Sequence, residues 1–423
     1  MADSNGIEKT TLSSGLRVVT ERMPHVRSVA VGFWVGTGSA HERDSESGAS
    51  HLIEHMLFKG TPRLSALDIA ETVEGMGGAM NAGTGREYTC LYARVMDEHF
   101  SRVLGILGDM VRDPALEEDD LALERRVVLE EIKMYEDSPD EVAHDLLLRA
   151  LWPDHPLSRS ILGTRDTVSA LGRDDLSEYH GSQYVPERTV LSVAGNVEHE
   201  AVLGEVERCL GDWNSQGPER SLTSPSFRSQ ALVRQKDIEQ VHLCLGGPGP
   251  ALDDDDLYPT MVVNALLGGG TSSRLFQVVR EQAGLAYSVN SFQSAMKKTG
   301  LMGVYAATSP DTAGEALSLI LTEIRKMADQ GVKSQELKRA REHIKGNLML
   351  SLEGTGARMT RMGRGELSQG RVLGLDELLE KLDSVSEDDV SEVLATSFNR
   401  EKTSLSAVGP VPDDLIGTYW GGD

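Results

Sequence analysis

Cysteine is scarce in this chain: Cys90, Cys209 and Cys244 are the only three in 423 residues, widely spaced and never in a Cys-x-x-Cys pair. That excludes a disulfide framework and a thiolate metal cluster, and leaves the three as small apolar residues of the interior. No apolar run approaches the roughly 20 residues that a membrane-crossing helix needs, so a membrane is not expected as a partner. Basic residues are outnumbered, 42 Lys and Arg against 66 Asp and Glu, for a formal net charge of -24. A field of that sign repels phosphate backbones, which argues against nucleic acid and would draw in cationic peptides. The plainer reading is that the acid excess only keeps the protein soluble. The opening residues, MADSNGIEKTTLSSG, lack both the apolar core of a secretory signal and the Arg-rich character of a transit peptide, so the expected location is cytoplasmic.

What the chain does have is length enough for two or three full hydrophobic cores, and an internal repeat. Residues 31–60 (VGFWVGTGSAHERDSESGASHLIEHMLFKG) align without a gap with residues 241–270 (VHLCLGGPGPALDDDDLYPTMVVNALLGGG), an offset of 210. A second anchor, RTVLSVAGNV at 188–197 against KTSLSAVGPV at 402–411, has an offset of 214. Between the copies, residues 214–234 are rich in Ser, Pro and Gly and show no period. The expected organisation is an N-terminal catalytic domain over 1–215, a linker over 216–234 and a homologous domain over 235–423.

In the first half, residues 29–35 and 87–95 are dense in β-branched and aromatic residues and read as strands. Helical periodicity marks 49–58, 66–76 behind a Ser65 cap, 100–111, 117–135 and 140–151. Paired strands followed by runs of helices point to the α+β class, with each half a largely antiparallel sheet packed with helices.

The chemistry concentrates at His51-Leu52-Ile53-Glu54-His55, an H-x-x-E-H pentapeptide. Residues four apart on a helix share a face, so His51 and His55 can offer imidazole nitrogens to one ion, while Leu52 and Ile53 face the core. Glu54 sits at the edge of that face, where a carboxylate reaches a water without ligating the metal. Without a metal, the motif is a helix carrying two surface histidines. A catalytic zinc takes three protein ligands and one open position, and the 117–135 helix offers the third. Glu124 and Glu131 are seven apart, nearly two turns, and share a face as one ligand and one support, with Glu130 about 100° away. The other nine histidines show no metal-type spacing. In the second half the offset of 210 puts Met261, Asn264 and Ala265 at the metal positions, so no second site is expected.

On these residues the chain resembles the pitrilysin/insulinase metallopeptidases, in the subgroup of the mitochondrial processing peptidase β-subunit and its bacterial relatives. The resemblance implies a zinc metalloendopeptidase with one Zn2+ per chain. Its ligands would be His51, His55 and Glu131, the last about 76 residues beyond the second His, with Glu54 as general base and Glu124 supporting. It further implies that residues 77–89, with Asn81 and Ala82, pair with the substrate backbone by strand addition. Read from the residues alone, Asn81 is a turn residue beside glycines. Gly83 departs from the aromatic residue that many relatives carry there. Arg280 and Tyr287, in the stretch REQAGLAYS, would assist catalysis; the plainer reading is that they pack the second domain. In relatives that fuse two such halves, the matching pair faces the zinc across an enclosed chamber. Here that implies a homodimer in which Arg280 and Tyr287 complete the partner's site. The alternatives are an active subunit paired with an inactive paralogue, or a catalytically idle scaffold subunit. The expected substrates are unfolded, cationic peptides or precursor segments.

Overall fold

A computed structural model describes residues 6–417; the first five residues, on which part of the reading of the N-terminal stretch rests, lie outside them. The strands are β1 (Ile7–Thr11), β2 (Arg17–Arg22), β3 (Ser28–Val35), β4 (Ala79–Thr84), β5 (Thr89–Met96), β6 (Thr189–Gly195), β7 (Ala231–Gln235), β8 (Val241–Gly249), β9 (Ala286–Ala295), β10 (Gly300–Thr308) and β11 (Ser404–Gly409). The α-helices of the first half are α1 (Ala49–Leu57), α2 (Ala66–Gly75), α3 (Phe100–Arg112), α4 (Glu118–Asp137), α5 (Pro139–Leu151), α6 (Arg165–Ala170), α7 (Arg173–Gln183) and α8 (His199–Leu210). Those of the second half are α9 (Leu257–Leu267), α10 (Ala313–Gln330), α11 (Ser334–Ser351), α12 (Thr355–Gln369), α13 (Leu375–Ser384) and α14 (Glu387–Ser397). The helices and strands expected in the first half are all present, and Ser65 caps α2 by accepting from the Asp68 N–H at 3.2 Å, a contact that stabilises a helix by about 1 kcal/mol. No helix among the described residues is long and apolar enough to cross a membrane.

Two sheets result, ordered β1-β2-β6-β3-β5-β4 and β7-β11-β8-β10-β9. Among the described strands only β2 with β6 and β7 with β11 run parallel; every other pair is antiparallel. The protein is therefore α+β, and the second sheet repeats the last five strands of the first in order and direction. The repeated segments fall on matching elements: 31–35 and 241–245 in β3 and β8, 49–57 and 259–267 in α1 and α9, 190–195 and 404–409 in β6 and β11.

β3 is apolar almost without alternation because both of its faces are covered. On one face Val29, Val31 and Phe33 meet Leu52 and Ile53 of α1 and Leu104 and Leu107 of α3, all fully buried. Burial of this kind stabilises by roughly 1.5–3 kcal/mol per side chain. On the other face Ala30 and Trp34 meet Met359 and Met362 of α12. That helix approaches closely because Gly363 has no side chain: a Cβ there would lie 2.1 Å from Trp34 Nε1. Trp34 Nε1 instead donates to Ser192 Oγ at 2.9 Å.

The chain divides into two compact units that are discontinuous in sequence. The first comprises Met1–Ile132, Ser160–Leu222 and Met349–Leu375; the second comprises Lys133–Arg159, Thr223–Leu348 and Asp376–Asp423. Each half of the sequence thus supplies a helix to the other half's sheet. α12 lies on β2, β3 and β6, and α5 lies on β8 and β11, where Ser406 Oγ donates to the Ala143 carbonyl at 2.6 Å. The stretch expected to be a linker has no regular structure until Ala231, where its last residues become β7 by pairing with β11.

Candidate metal centre

α1 carries the H-x-x-E-H residues and begins without a side-chain cap of its own. Its N-cap is Gly48 at φ +95°, where a Cβ would lie 2.8 Å from the Leu162 carbonyl oxygen. Glu42 supplies the missing acceptor from outside the helix. Its buried carboxylate takes the N–H of Gly48 at 2.9 Å and of Ser50 at 2.7 Å. Burial pushes this carboxyl up to about 7, against the pull of those two N–H groups. Ser50 Oγ lies 2.9 Å from the Tyr179 hydroxyl, which also meets Thr37 at 3.0 Å. The first turn of α1 is therefore fixed, with Leu52 and Ile53 in the core and His51, Glu54 and His55 turned away from it. Sequence reasoning missed Glu42, because a cap from six residues upstream follows no local pattern.

His51, His55 and Glu131 converge, each offering one donor atom, all within 4.8 Å of one another, and no other such group occurs among the described residues. Glu131 Oε2 lies 3.6 Å from His51 Nε2 and 3.5 Å from His55 Nε2. These separations are too long for good hydrogen bonds, yet close to the roughly 3.4 Å edge that ligand bonds of about 2.0–2.1 Å give a tetrahedral ion. Two imidazoles and one carboxylate form a donor set that suits zinc and leaves a coordination position open. Burial, with His55 alongside, pushes His51 down to about 4, so it stands neutral and ready to ligate at neutral pH.

The carboxylates flanking the set are held apart in character. Burial would raise Glu124, but hydrogen bonds from Lys59 and His55 outweigh it and hold the carboxyl below its ordinary value. Its Oε2 accepts from His55 Nδ1 at 2.9 Å and its Oε1 meets Lys59 Nζ at 2.5 Å. His55 is thereby locked with its Nε2 free for a metal. Lys59 also escaped the sequence reading, since a lysine four residues beyond the motif carries no signal by itself. Glu54 ligates nothing; burial pushes its carboxyl up, and the Thr84 hydroxyl, 2.5 Å from Oε2, partly offsets that. Glu130, beside Glu131, is exposed and outside the set.

Asn81, Ala82 and Gly83 lie in β4, the edge strand, which pairs only with β5 among the described strands. Asn81 is exposed and in a strand rather than a turn, and its Oδ1 accepts the Ala82 N–H at 2.9 Å. Beneath Gly83, Cys90 donates weakly to the Gly83 carbonyl at 3.5 Å, and burial pushes its thiol up to about 11. Cys90 and Cys244 are buried, and Cys209 only partly so.

Among its described residues the second unit has no counterpart of this donor set. Met261, Asn264 and Ala265 occupy the corresponding positions on α9, and Asn264 Oδ1 accepts from Ser291 Oγ at 2.7 Å. Arg280 and Tyr287 form a pair of their own there. The guanidinium lies over the rings of Phe276 and Tyr287, 4.7 and 5.0 Å from their centroids, and Tyr287 is 77% exposed.

The family described as Insulinase (Peptidase family M16) matches residues 17–165, and the one described as Peptidase M16 inactive domain matches residues 170–344. A protein of Bacillus subtilis described as an uncharacterized zinc protease is 42% identical over 404 residues, 96% of this chain and 98% of that one. A Streptomyces coelicolor protein of the same description is 40% identical over 96% of this chain and 90% of its own length. In fold, the chain is similar to a protease from Helicobacter pylori, with a TM-score of 0.90 at 22% identity over 96% of this chain and 100% of the other. A Pseudomonas fluorescens peptidase M16 inactive domain gives a TM-score of 0.90 at 18% identity, covering 96% and 98%. The chain belongs to the insulinase family of peptidases, family M16.

Proposed function

We propose that the protein is a zinc endopeptidase that cuts unstructured peptides, with His51, His55 and Glu131 as the metal's ligands. The observation that carries this reading is the convergence of those three donors with Glu54 beside them, held close but not ligating. Zinc in such a site acidifies a water and polarises the scissile carbonyl. Glu54 takes a proton from the attacking water as its oxygen adds to the carbonyl carbon. As the C–N bond breaks, the same carboxyl delivers that proton to the leaving amine. No covalent enzyme intermediate is needed. Glu124 holds the His55 ring in orientation, and the β4 edge, with Asn81 and Ala82, receives the substrate as an added strand.

Arg280 and Tyr287 serve the site of a second copy of the chain. Their support is that an exposed phenol and a ring-stacked guanidinium, both good donors for an oxyanion, sit in a unit that has no cluster of metal donors among the described residues. A twofold homodimer gives each pair a site to complete.

The test is incubation of the purified protein with unstructured peptides, cationic and acidic, with and without chelator. Chelator-sensitive cleavage, faster for cationic peptides at low salt, is expected. Cleavage that survives complete metal removal refutes the reading, and rapid cutting of a stable globular domain refutes edge-strand recognition.

A further inference from the structure

β4 packs against α1, and the residue of β4 that hydrogen-bonds to that helix is Thr84. Its Oγ1 lies 2.5 Å from Glu54 Oε2, and its backbone N–H reaches the same carboxylate. The next acceptor near that hydroxyl, the Ser50 carbonyl, is 3.5 Å away, so the hydroxyl proton is committed to Glu54. Thr84 is the last residue of β4, on the strand whose free edge carries Asn81 and Ala82. A β-branched side chain in a strand has few rotamers, so the oxygen position follows the backbone position of β4.

The other repeat contains the same brace. There the edge strand is β9, the helix is α9, and Ser291 Oγ donates to Asn264 Oδ1 at 2.7 Å and to the Asn264 carbonyl at 2.9 Å. Asn264 stands at the position of Glu54. A hydroxyl from the edge strand thus anchors the same helix position in both units, and only in the first is the anchored group a carboxylate beside metal donors.

We infer that Thr84 is a positioning residue for hydrolysis: through it, the strand that receives the substrate fixes where Glu54 stands. The inference rests on the proposed peptidase reading and deepens it. Pairing of a substrate with β4 stiffens that strand, and Thr84 transmits the constraint to Glu54 while leaving Oε1 to exchange the proton. Binding and base alignment then share one element, so losing the link costs turnover rather than affinity.

The experiment compares Thr84→Val, which is nearly isosteric and keeps the N–H, with Thr84→Ser, which keeps the hydroxyl, in the full chain. Steady-state kinetics on a fluorogenic unstructured peptide, zinc content and thermal stability are read for each. Thr84→Val is expected to lower kcat about 10- to 100-fold, the usual effect of losing such a partner. Its KM should stay within about twofold and its zinc content unchanged, while Thr84→Ser restores most of kcat. An unchanged kcat in Thr84→Val, a loss confined to KM or zinc content, or a Ser variant as poor as Val overturns the inference. Crystal structures of the zinc-loaded proteins decide it independently of activity. Glu54 should keep its position in wild type and Thr84→Ser and leave it in Thr84→Val; an unmoved Glu54 overturns the inference. A wild type that binds no zinc or cuts no peptide refutes the peptidase reading instead, a different failure that the structural comparison does not share.

Discussion

His55 turns its Nδ1 to Glu124 at 2.9 Å and its Nε2 towards Glu131 at 3.5 Å, so one ring stands between two carboxylates that lie nearly two turns apart on a single helix. A carboxylate can only accept from Nδ1, and this fixes the tautomer that leaves Nε2 as the ligand atom. The separate duties of Glu124 and Glu131 follow from it.

Glu131→Gln should therefore lose zinc more completely than Glu124→Gln, for which a fall of about 10- to 100-fold in affinity is expected. Lys59→Met should resemble a mild Glu124→Gln, because it removes the cation at the other oxygen. Competitive chelator titration measures all three, and equal retention in the two Glu variants would take Glu131 out of the ligand set.

Glu54→Gln should keep its zinc and lose peptidase activity by at least about 100-fold, since the amide cannot take the water's proton. Metal analysis and peptide kinetics on the same preparation decide this. A fully active Glu54→Gln would end the proposed mechanism.

Mixing Glu54→Gln with Arg280→Ala tests whether Arg280 and Tyr287 act on a second copy. If they do, a mixed dimer has one site with both defects and one intact site, and activity should recover to about half of wild type per mixed dimer. With subunit exchange proven by labelled chains, no recovery would place the pair's role within one chain.

Acid stability should report on Glu46. Burial opposes its ionisation, but Arg220 and Arg43 outweigh that and bring the carboxyl down to about 2 from an ordinary 4.5. A depressed acid contributes stability above its unfolded value and loses it as the pH falls from 4.5 to 2. Arg43 is 60% exposed, so screening reduces the contribution to about 1 kcal/mol. Glu46→Gln should be less stable by about that much at pH 7, and the difference from wild type should close by pH 2. A difference independent of pH, in denaturant melts, would mean packing rather than charge.

The metal donors were legible in the sequence because helical spacing is local: His51 and His55 are one turn apart, and Glu124 and Glu131 two. The repeat was legible too, since it shows as aligned apolar and glycine patterns. Three features were not. Glu42 and Lys59 act through contacts that have no fixed spacing, and Thr84 meets Glu54 only once β4 folds beside α1. The exchange of α5 and α12 left no mark either, because an amphipathic helix specifies that it must cover a sheet and says nothing about which one. Trp34 and Gly363 record the answer, but as partners they are 329 positions apart.

That exchange bears on how the protein is made. A ribosome releases every metal donor early, Glu131 included, but the sheet against which α1 packs keeps its other face bare until Met359 and Met362 of α12 emerge. A nascent chain stopped at the Ser- and Pro-rich stretch near residue 220 would hold a full set of zinc donors on an unfinished scaffold, with Trp34 and its neighbours open to water. Early-terminated products should therefore fall to chaperones and quality-control proteases rather than persist as free-standing fragments with peptidase activity of their own.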